Sequence, residues 1–490
     1  MSDRSKTGAA LWSAAEAADA TGGESRGDWR AEGVSIDSRT LMAGDLFVAL
    51  KGPNHDGHDH VAQALGAHAA AAMIERAAAA MVERAPDIES APAPLLIVPD
   101  SLEGLAALAK AARARSTARI VAVTGSVGKT GTKELIARAL ATAGRVSVSA
   151  GNLNNYIGAP LSLARLPAEA AFGVFELGMN QPGEIAPLSR LARPHVVLVT
   201  NVEAVHTEFF SHLDAVAEAK AEIFAGLEPG AVAVLNCDNK YFEFLKARAH
   251  DAGAARFIGF GRGKEAEARL RAWSPDREGG QVEAEISGAP CSYRISLSGE
   301  HWALNSVAAL ATAVAAGAPL GAAASSLISQ HPLPGRGARH RLAVPGGQFD
   351  LIDESYNASP VAVAAAIESL KNFPPGPGAR RIAVLGDMLE LGGGAAAAHA
   401  ALAPALEAAG VDLVFTVGPL MSHLFAALPN SLRAGQADSA ADLLPALRAA
   451  LRPGDVVLIK GSLGIGMGLL VDALTDDGET AAPSGARMSG

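Results

Sequence analysis

Lys129 and Thr130 close the run Thr124-Gly125-Ser126-Val127-Gly128, which follows an apolar stretch at 120–123. A glycine-rich turn between a strand and a helix lets the N–H groups of Gly125, Ser126, Val127 and Gly128 approach phosphate oxygens. The helix N-terminus adds partial positive charge at the same place. An ammonium at Lys129 would reach the β- and γ-phosphates of a nucleoside triphosphate, and the Thr130 hydroxyl would ligate Mg²⁺. The spacing is the shorter T-G-x-x-G-K-T form, because Val123 rather than glycine stands five positions before Gly128. An ordinary Gly/Ser turn with an exposed lysine is the bland reading, and the strand-turn-helix context weighs against it.

Other reactive side chains fall at comparable places. Phe175-Glu176-Leu177-Gly178 ends an apolar run. A carboxylate at the carboxyl end of a parallel strand faces the crevice where ligands sit, which makes Glu176 a candidate Mg²⁺ ligand. A solvated strand-end glutamate is the competing reading. His206 follows the run at 196–200 and taken alone is as well explained as a structural histidine. Lys220 lies in a helical segment at 214–224 that follows these strand ends. A cation beside Mg²⁺ is repulsive unless it neutralises phosphate or is itself modified. Gly151-Asn152-Leu153-Asn154-Asn155 crowds amides, both donors and acceptors, into a loop suited to phosphate or sugar. His55-Asp56-Gly57-His58-Asp59-His60 has metal-capable residues, but without a second cluster a loop for a polar ligand is an equal reading.

A parallel α/β framework has to position these residues. Apolar runs at 120–123, 146–149, 172–177, 196–200 and 232–235 alternate with helical patterns, as in a parallel sheet covered on both faces. The organisation predicts a first unit over 1–105, with strands at 44–50 and 91–98 and a helical run at 60–72. A central unit over 106–330 carries the phosphate loop, whose helix is expected to begin at about Thr132. Pro332-Leu333-Pro334-Gly335-Arg336-Gly337 reads as a hinge. Strands at 349–352, 381–385, 413–417 and 455–459 then predict a smaller Rossmann-like unit over 331–475. The polar tail, 476–490, is expected to be disordered.

With 490 residues the chain exceeds what one core holds, and a net charge of −10 without a basic stripe argues against a nucleic-acid partner. Cys237 and Cys291 are too few for a disulfide framework and fit a reducing compartment. The first residues lack the apolar stretch of a signal peptide. Residues 302–330 carry no charge and are long enough for a bilayer, but they are rich in Ala, Gly and Ser and broken at Gly317-Ala318-Pro319. They read as two buried helices, so a soluble protein with no membrane span is expected.

Together these residues resemble the Mur ligase family, ATP-dependent amide-forming enzymes of peptidoglycan assembly. The likeness covers about 30–470 and rests on Asp37-Ser38-Arg39 and Asp56-Gly57-His58 in the first unit. In the centre it rests on 124–130, Asn152, Asn154, Asn155, Glu176, Asn201, His206 and Lys220. In the third unit it rests on Arg336, Asp353-Glu354-Ser355-Tyr356-Asn357, Gly386-Asp387-Met388, His399 and Lys460-Gly461-Ser462. The Tyr356-Asn357 and Gly386-Asp387-Met388 segments favour the branch that joins D-alanyl-D-alanine to UDP-MurNAc-tripeptide.

The resemblance implies that Ser38, Arg39, Asp56, Gly57 and His58 hold the UDP end of the substrate. It places ATP against Gly125, Ser126, Val127, Gly128, Lys129, Thr130, Asn305, Arg336, Asp353 and Glu354. Asn154, Asn155, Tyr356, Asn357, Lys460 and Ser462 would line the substrate path. Thr130, Glu176, His206 and Lys220 would coordinate Mg²⁺, expected as two ions, with Lys220 carrying CO₂ as a carbamate. Lys129, Lys220, His206 and Glu176 would be the catalytic set of a cytoplasmic, monomeric ligase working through an acyl phosphate. Three positions depart from the family pattern: Trp302 after His301, Glu354 after Asp353, and Leu463 after Ser462, where an arginine is frequent. The sister ligase that adds the third amino acid shares the central features. Folylpolyglutamate synthases share the core but usually begin near their phosphate loop. A nucleotide-binding regulator without turnover would be expected to have lost a metal-site residue.

Overall fold

The computed structural model of the protein describes residues 10–79, 93–203, 210, 212–276 and 278–480. Its centre is a nine-stranded sheet. The order is Ala289–Ile295, Gly279–Ile286, Ala268–Asp276, Arg256–Gly261, Val232–Asn236, Val196–Val199, Arg119–Thr124, Phe172–Glu176, Val146–Val148. The strands from Arg256–Gly261 to Val146–Val148 are parallel. The inner ones are largely apolar because both faces are covered, whereas Val146–Val148 at the edge is partly exposed. Val121, Val123, Val174 and Leu198 enter the core on one face, while Ile120, Ala122, Phe175 and Val199 enter another core on the opposite face. Arg119–Thr124 lies between Phe172–Glu176 and Val196–Val199, so the order reverses around the strand that feeds the phosphate loop, the usual place for a ligand crevice.

A five-stranded sheet precedes it, in the order Glu24–Arg26, Leu95–Val98, Ala71–Glu75, Asp45–Val48, Gly33–Ser35. The two units share one core: Trp12, Leu105 and Leu108 pack in the same cluster as Ile120, Phe175 and Val197. Trp12 Nε1 donates to Ala164 O at 3.0 Å, and the Arg115 guanidinium lies 3.9 Å over the Trp12 ring. The third sheet runs Ala338–Val344, Gly347–Glu354, Val456–Lys460, Arg381–Gly386, Leu413–Val417, Arg433–Ala437, and is parallel except at its first strand. Its two faces have cores of their own. No helix among the described residues is long and apolar enough to cross a membrane. Instead, 302–330 folds largely into Glu300–Ala315 and Leu320–Ser326, separated at the glycine and proline.

Several expectations are corrected. The helical run at 60–72 is a helix only over Val61–Gly66, and Ala71–Glu75 is a buried strand, since Ala72-Met73-Ile74 fill the gap between two parallel neighbours. The phosphate-loop helix begins at Lys129, not Thr132. The central sheet is extended by an antiparallel meander, Ala268–Asp276, Gly279–Ile286 and Ala289–Ile295. The last helix, Gly468–Thr480, takes in the start of the expected disordered tail, whose remainder lies outside the described residues.

Candidate active site

The phosphate loop leaves Arg119–Thr124 and turns through Gly125 (φ +141°) and Gly128 (φ +86°) before Lys129–Leu140. A Cβ on Gly125 would lie 2.0 Å from Thr200 Oγ1, so only glycine fits. Asn201, at the end of the neighbouring strand, holds the loop open. Its side-chain oxygen accepts from Val127 N at 2.9 Å and its carbonyl from Ser126 N at 3.0 Å. Thr200 Oγ1 donates to Val127 O at 2.7 Å. The Lys129 ammonium turns back onto its own loop, donating to Gly125 O at 2.8 Å and Ser126 O at 3.2 Å.

The loop opens on a cleft of ≈ 630 Å³ between the central sheet and the third sheet. Ser126, Val127, Gly128, Lys129, Thr130, Asn154, Asn155, Glu176 and Asn305 line it from one side. Arg336, Glu354, Tyr356, Asn357, Lys460 and Ser462 line it from the other. Glu176 is buried. Its Oε1 accepts from Asn154 Nδ2 at 2.7 Å, while Oε2 is buried with no partner among the described residues. A buried anionic oxygen without a donor is costly unless a cation joins it. Lys220 is buried beside this carboxylate. Burial, followed by the charge of Lys129, pushes its ammonium well below the usual lysine range, with Glu176 and Glu222 opposing. Burial also lowers Lys129, and Arg336, reaching in from the hinge, adds to that effect. His206 lies outside the described residues.

The third unit's wall is held in detail. Lys460 Nζ donates to Glu354 Oε2 at 3.2 Å and to Asn357 O at 3.0 Å. The Arg336 guanidinium stacks 4.1 Å over Tyr356. Asp353 does not line the cleft. It is buried, and its carboxylate ties the hinge by accepting from Gly335 N at 2.7 Å and from the Ser355 N–H and hydroxyl at 3.0 and 2.6 Å. Ser462 Oγ accepts from Leu389 N at 3.0 Å, and buried His399 accepts from Met388 N at 2.9 Å. Leu463, in the place of the frequent arginine, is 60% exposed and forms an apolar stretch of wall with Leu389 and Val361. Trp302 is buried against Gly131 of the phosphate-loop helix, leaving Asn305 beside Gly128.

Ser38, Arg39, Asp56, Gly57 and His58 do not line this cleft; they belong to loops of the five-stranded unit. Asp37 grips the exposed Arg39 guanidinium with both carboxylate oxygens, at 2.9 and 2.8 Å, which lowers the Asp37 carboxyl to about 2. Ser38 Oγ donates to Gln63 at 3.1 Å. His58 is buried with both ring nitrogens engaged: Nε2 accepts from Glu75 N at 3.0 Å, so Nδ1 donates to Asp56 at 2.6 Å. It therefore fastens the loop that presents Asp56. Sequence reasoning missed Tyr156, Thr200, Asn236 and Glu184 in the cleft lining. Asn236 ends its strand as Glu176 does and Thr200 directly follows Val196–Val199, a signal that could have found them.

Three family descriptions match the chain: the Mur ligase family catalytic domain over 30–113, the Mur ligase middle domain over 123–313, and the Mur ligase glutamate ligase domain over 340–463. The UDP-N-acetylmuramoyl-tripeptide–D-alanyl-D-alanine ligase of Escherichia coli strain K12 is 35% identical over 94% of this chain and 97% of its own length. A crystal structure of MurF from Acinetobacter baumannii superposes with a TM-score of 0.79 at 27% identity, covering 95% of this chain and 99% of that one. The MurF ligase of Thermotoga maritima, solved in complex with ADP, gives 0.72 at 27% identity over 92% of this chain and 98% of that one.

Proposed function

The chain belongs to the Mur ligase family, and on that premise we propose that it joins D-alanyl-D-alanine to UDP-MurNAc-tripeptide, converting ATP to ADP and phosphate. The observation that carries this reading is the cleft itself. A glycine phosphate loop and a buried, half-satisfied carboxylate on one wall face Arg336, Lys460 and an apolar Leu389–Leu463 surface on the other. The apolar stretch suits the two methyl groups of the incoming dipeptide. The division into units at 1–105, 106–330 and 331–475, a cytoplasmic setting and a monomeric state are part of the same proposal.

A carboxylate is a poor acyl donor, so its activation by phosphoryl transfer is the step the residues must serve. The Lys129 ammonium would leave its loop carbonyls for the β- and γ-phosphates, neutralising charge as the γ-phosphoryl passes in line to the tripeptide carboxylate. Arg336 and Lys460 bring further positive charge from the third unit as it closes about the 332–337 hinge, where Gly335 and Gly337 have φ of +72° and +91°. Closure would exclude water from the acyl phosphate. The dipeptide amine then attacks its carbonyl carbon, and phosphate leaves as the amide forms.

The residues fit Mg²⁺: Thr130 and Glu176 would hold it with His206 and a carbamylated Lys220, and Glu176 Oε2 is a buried carboxylate oxygen that lacks a donor among the described residues. Bound there, Mg²⁺, expected as two ions, would neutralise the phosphate oxygens. Burial of Lys220 favours the neutral amine, the form that adds CO₂; the carbamate and a proton are the products, and a buried neutral amine becomes an anion.

The test is phosphate release from ATP with UDP-MurNAc-tripeptide, with and without D-alanyl-D-alanine. Release that depends on the dipeptide, with a pentapeptide product by mass spectrometry, is expected. Turnover only with UDP-MurNAc-dipeptide and diaminopimelate or lysine would move the protein to the sister ligase. No turnover with either pair would leave a nucleotide-binding fold.

A further inference from the structure

Lys133 is one of the largest fully buried side chains in the protein, and the chemistry above makes no use of it. It sits one turn into the phosphate-loop helix, where a buried ammonium needs acceptors at close range. It has three: Ser149 O at 2.5 Å, Gly151 O at 2.8 Å and the neighbouring Glu134 carboxylate at 3.1 Å. The two carbonyls belong to the loop that leaves the edge strand Val146–Val148 and leads to Asn154.

That loop is interlocked with the end of the strand bearing Glu176. Glu176 N donates to Ser149 Oγ at 3.2 Å. Asn154 Nδ2 donates to Glu176 Oε1 at 2.7 Å, and Gly178 N donates to Asn154 O at 2.8 Å. A Cβ on Gly178 would lie 2.7 Å from Asn154 Cγ, so there is no slack in the fit. Asn154 therefore engages one carboxylate oxygen and leaves the other, Oε2, buried without a donor among the described residues. Lys133 is the cation that pins the near end of this chain of contacts to the helix that also starts with Lys129 and Thr130.

We propose that Lys133 is a positioning residue for the cation site. By holding Ser149 O and Gly151 O it fixes the 149–155 loop so that Asn154 orients Glu176 with Oε2 toward the metal. The inference rests on the reading of Glu176 as a cation ligand. Groups that hydrogen-bond a metal ligand directly, as Asn154 does Glu176, typically change metal affinity by about 10- to 100-fold, and Lys133, one contact further out, belongs at the low end of that range.

The experiment follows Mn²⁺ binding by electron paramagnetic resonance on the full chain with ADP, for wild type, Lys133→Met, Asn154→Ala, their double variant and Glu176→Gln. ADP affinity in EDTA and the thermal midpoint are measured alongside. Lys133→Met is expected to weaken Mn²⁺ binding by roughly 10-fold, with ADP affinity in EDTA within about twofold of wild type. The double variant is expected to bind Mn²⁺ about as weakly as the worse single one, because both act through the same carboxylate. Weakening in Glu176→Gln but not in Lys133→Met, or a double variant with the full product of the two losses, overturns the role of Lys133. Unchanged binding in Glu176→Gln overturns the reading of Glu176 and the proposal with it. Should Lys133→Met fail to fold, Lys133→Gln, which keeps a donor without the charge, carries the same comparison.

Discussion

Gly131→Ala should couple the phosphate-loop helix to nucleotide affinity through one tryptophan. An ideal Cβ at Gly131 would lie 2.1 Å from Trp302 Cη2 and 2.4 Å from Cζ3, where ordinary contact begins near 3.4 Å, so the ring would have to withdraw by about 1.3 Å. It cannot swing away freely, being a rigid bicycle buried in the cluster that contains Leu135, Ile136 and Val307. Alanine gains roughly 1 kcal/mol over glycine in a helix. Overpacking of this kind costs about 1–3 kcal/mol, and an overlap this deep belongs at the upper end. The clash wins, for a net loss of about 1–2 kcal/mol and a fall of roughly 2–8 °C in the melting midpoint of a unit this size. Trp302 shares the helix Glu300–Ala315 with Asn305, which lies 3.0 Å from the Cβ position of Gly128. Displacing that helix should therefore weaken ADP binding, which isothermal titration would read together with the melting midpoint. Trp302→Leu in the Gly131→Ala background removes both clashing atoms and should recover part of each loss. A single variant as stable as wild type, or losses that Trp302→Leu does not relieve, would refute the reasoning.

Other substitutions probe separate parts of the argument. Lys220→Ala should nearly abolish turnover while leaving ADP binding intact by titration, and full activity in that variant would remove the carbamate. Tyr293→Phe deletes a buried 2.8 Å hydrogen bond to Ser306, whose hydroxyl still reaches Ala303 O, so urea unfolding should show a loss of only about 1 kcal/mol. Burial raises the thiols of Cys237 and Cys291 to about 11. A raised thiol pKa disfavours the thiolate, so at pH 8 only about one thiol in a thousand is reactive, and alkylation followed by mass spectrometry should stay slow until the pH approaches that value.

The parallel framework was legible because Val- and Ile-rich runs between glycine turns admit little besides strands buried on both faces, and strand ends then announce Glu176 and the phosphate loop. The alanine run before Met73 was not legible: alanine favours helix locally, and only the gap between Asp45–Val48 and Leu95–Val98 makes it a strand. The meander at 268–295 alternates polar and apolar residues like any half-exposed hairpin and carries no motif. Within the site, the phosphate loop, Glu176 and the Asn154-Asn155 pair were readable from motif and strand-end spacing, whereas Tyr156 and Glu184 of the same lining carried no such signal. Residues that act by holding others, such as Asp353 on the hinge and His58 under its loop, have the same residue types, and only their hydrogen-bond partners reveal the difference.

The core shared by the first two units has a consequence for synthesis on the ribosome. Trp12, Leu105 and Leu108 are translated before Ala159 and Leu163, whose helix Gly158–Ala164 covers them in the same cluster. At roughly 5–20 residues per second, the apolar face of the nascent first unit waits on the order of several seconds for its cover. That interval, rather than the finished fold, is when the chain is most exposed to aggregation and most in need of a chaperone.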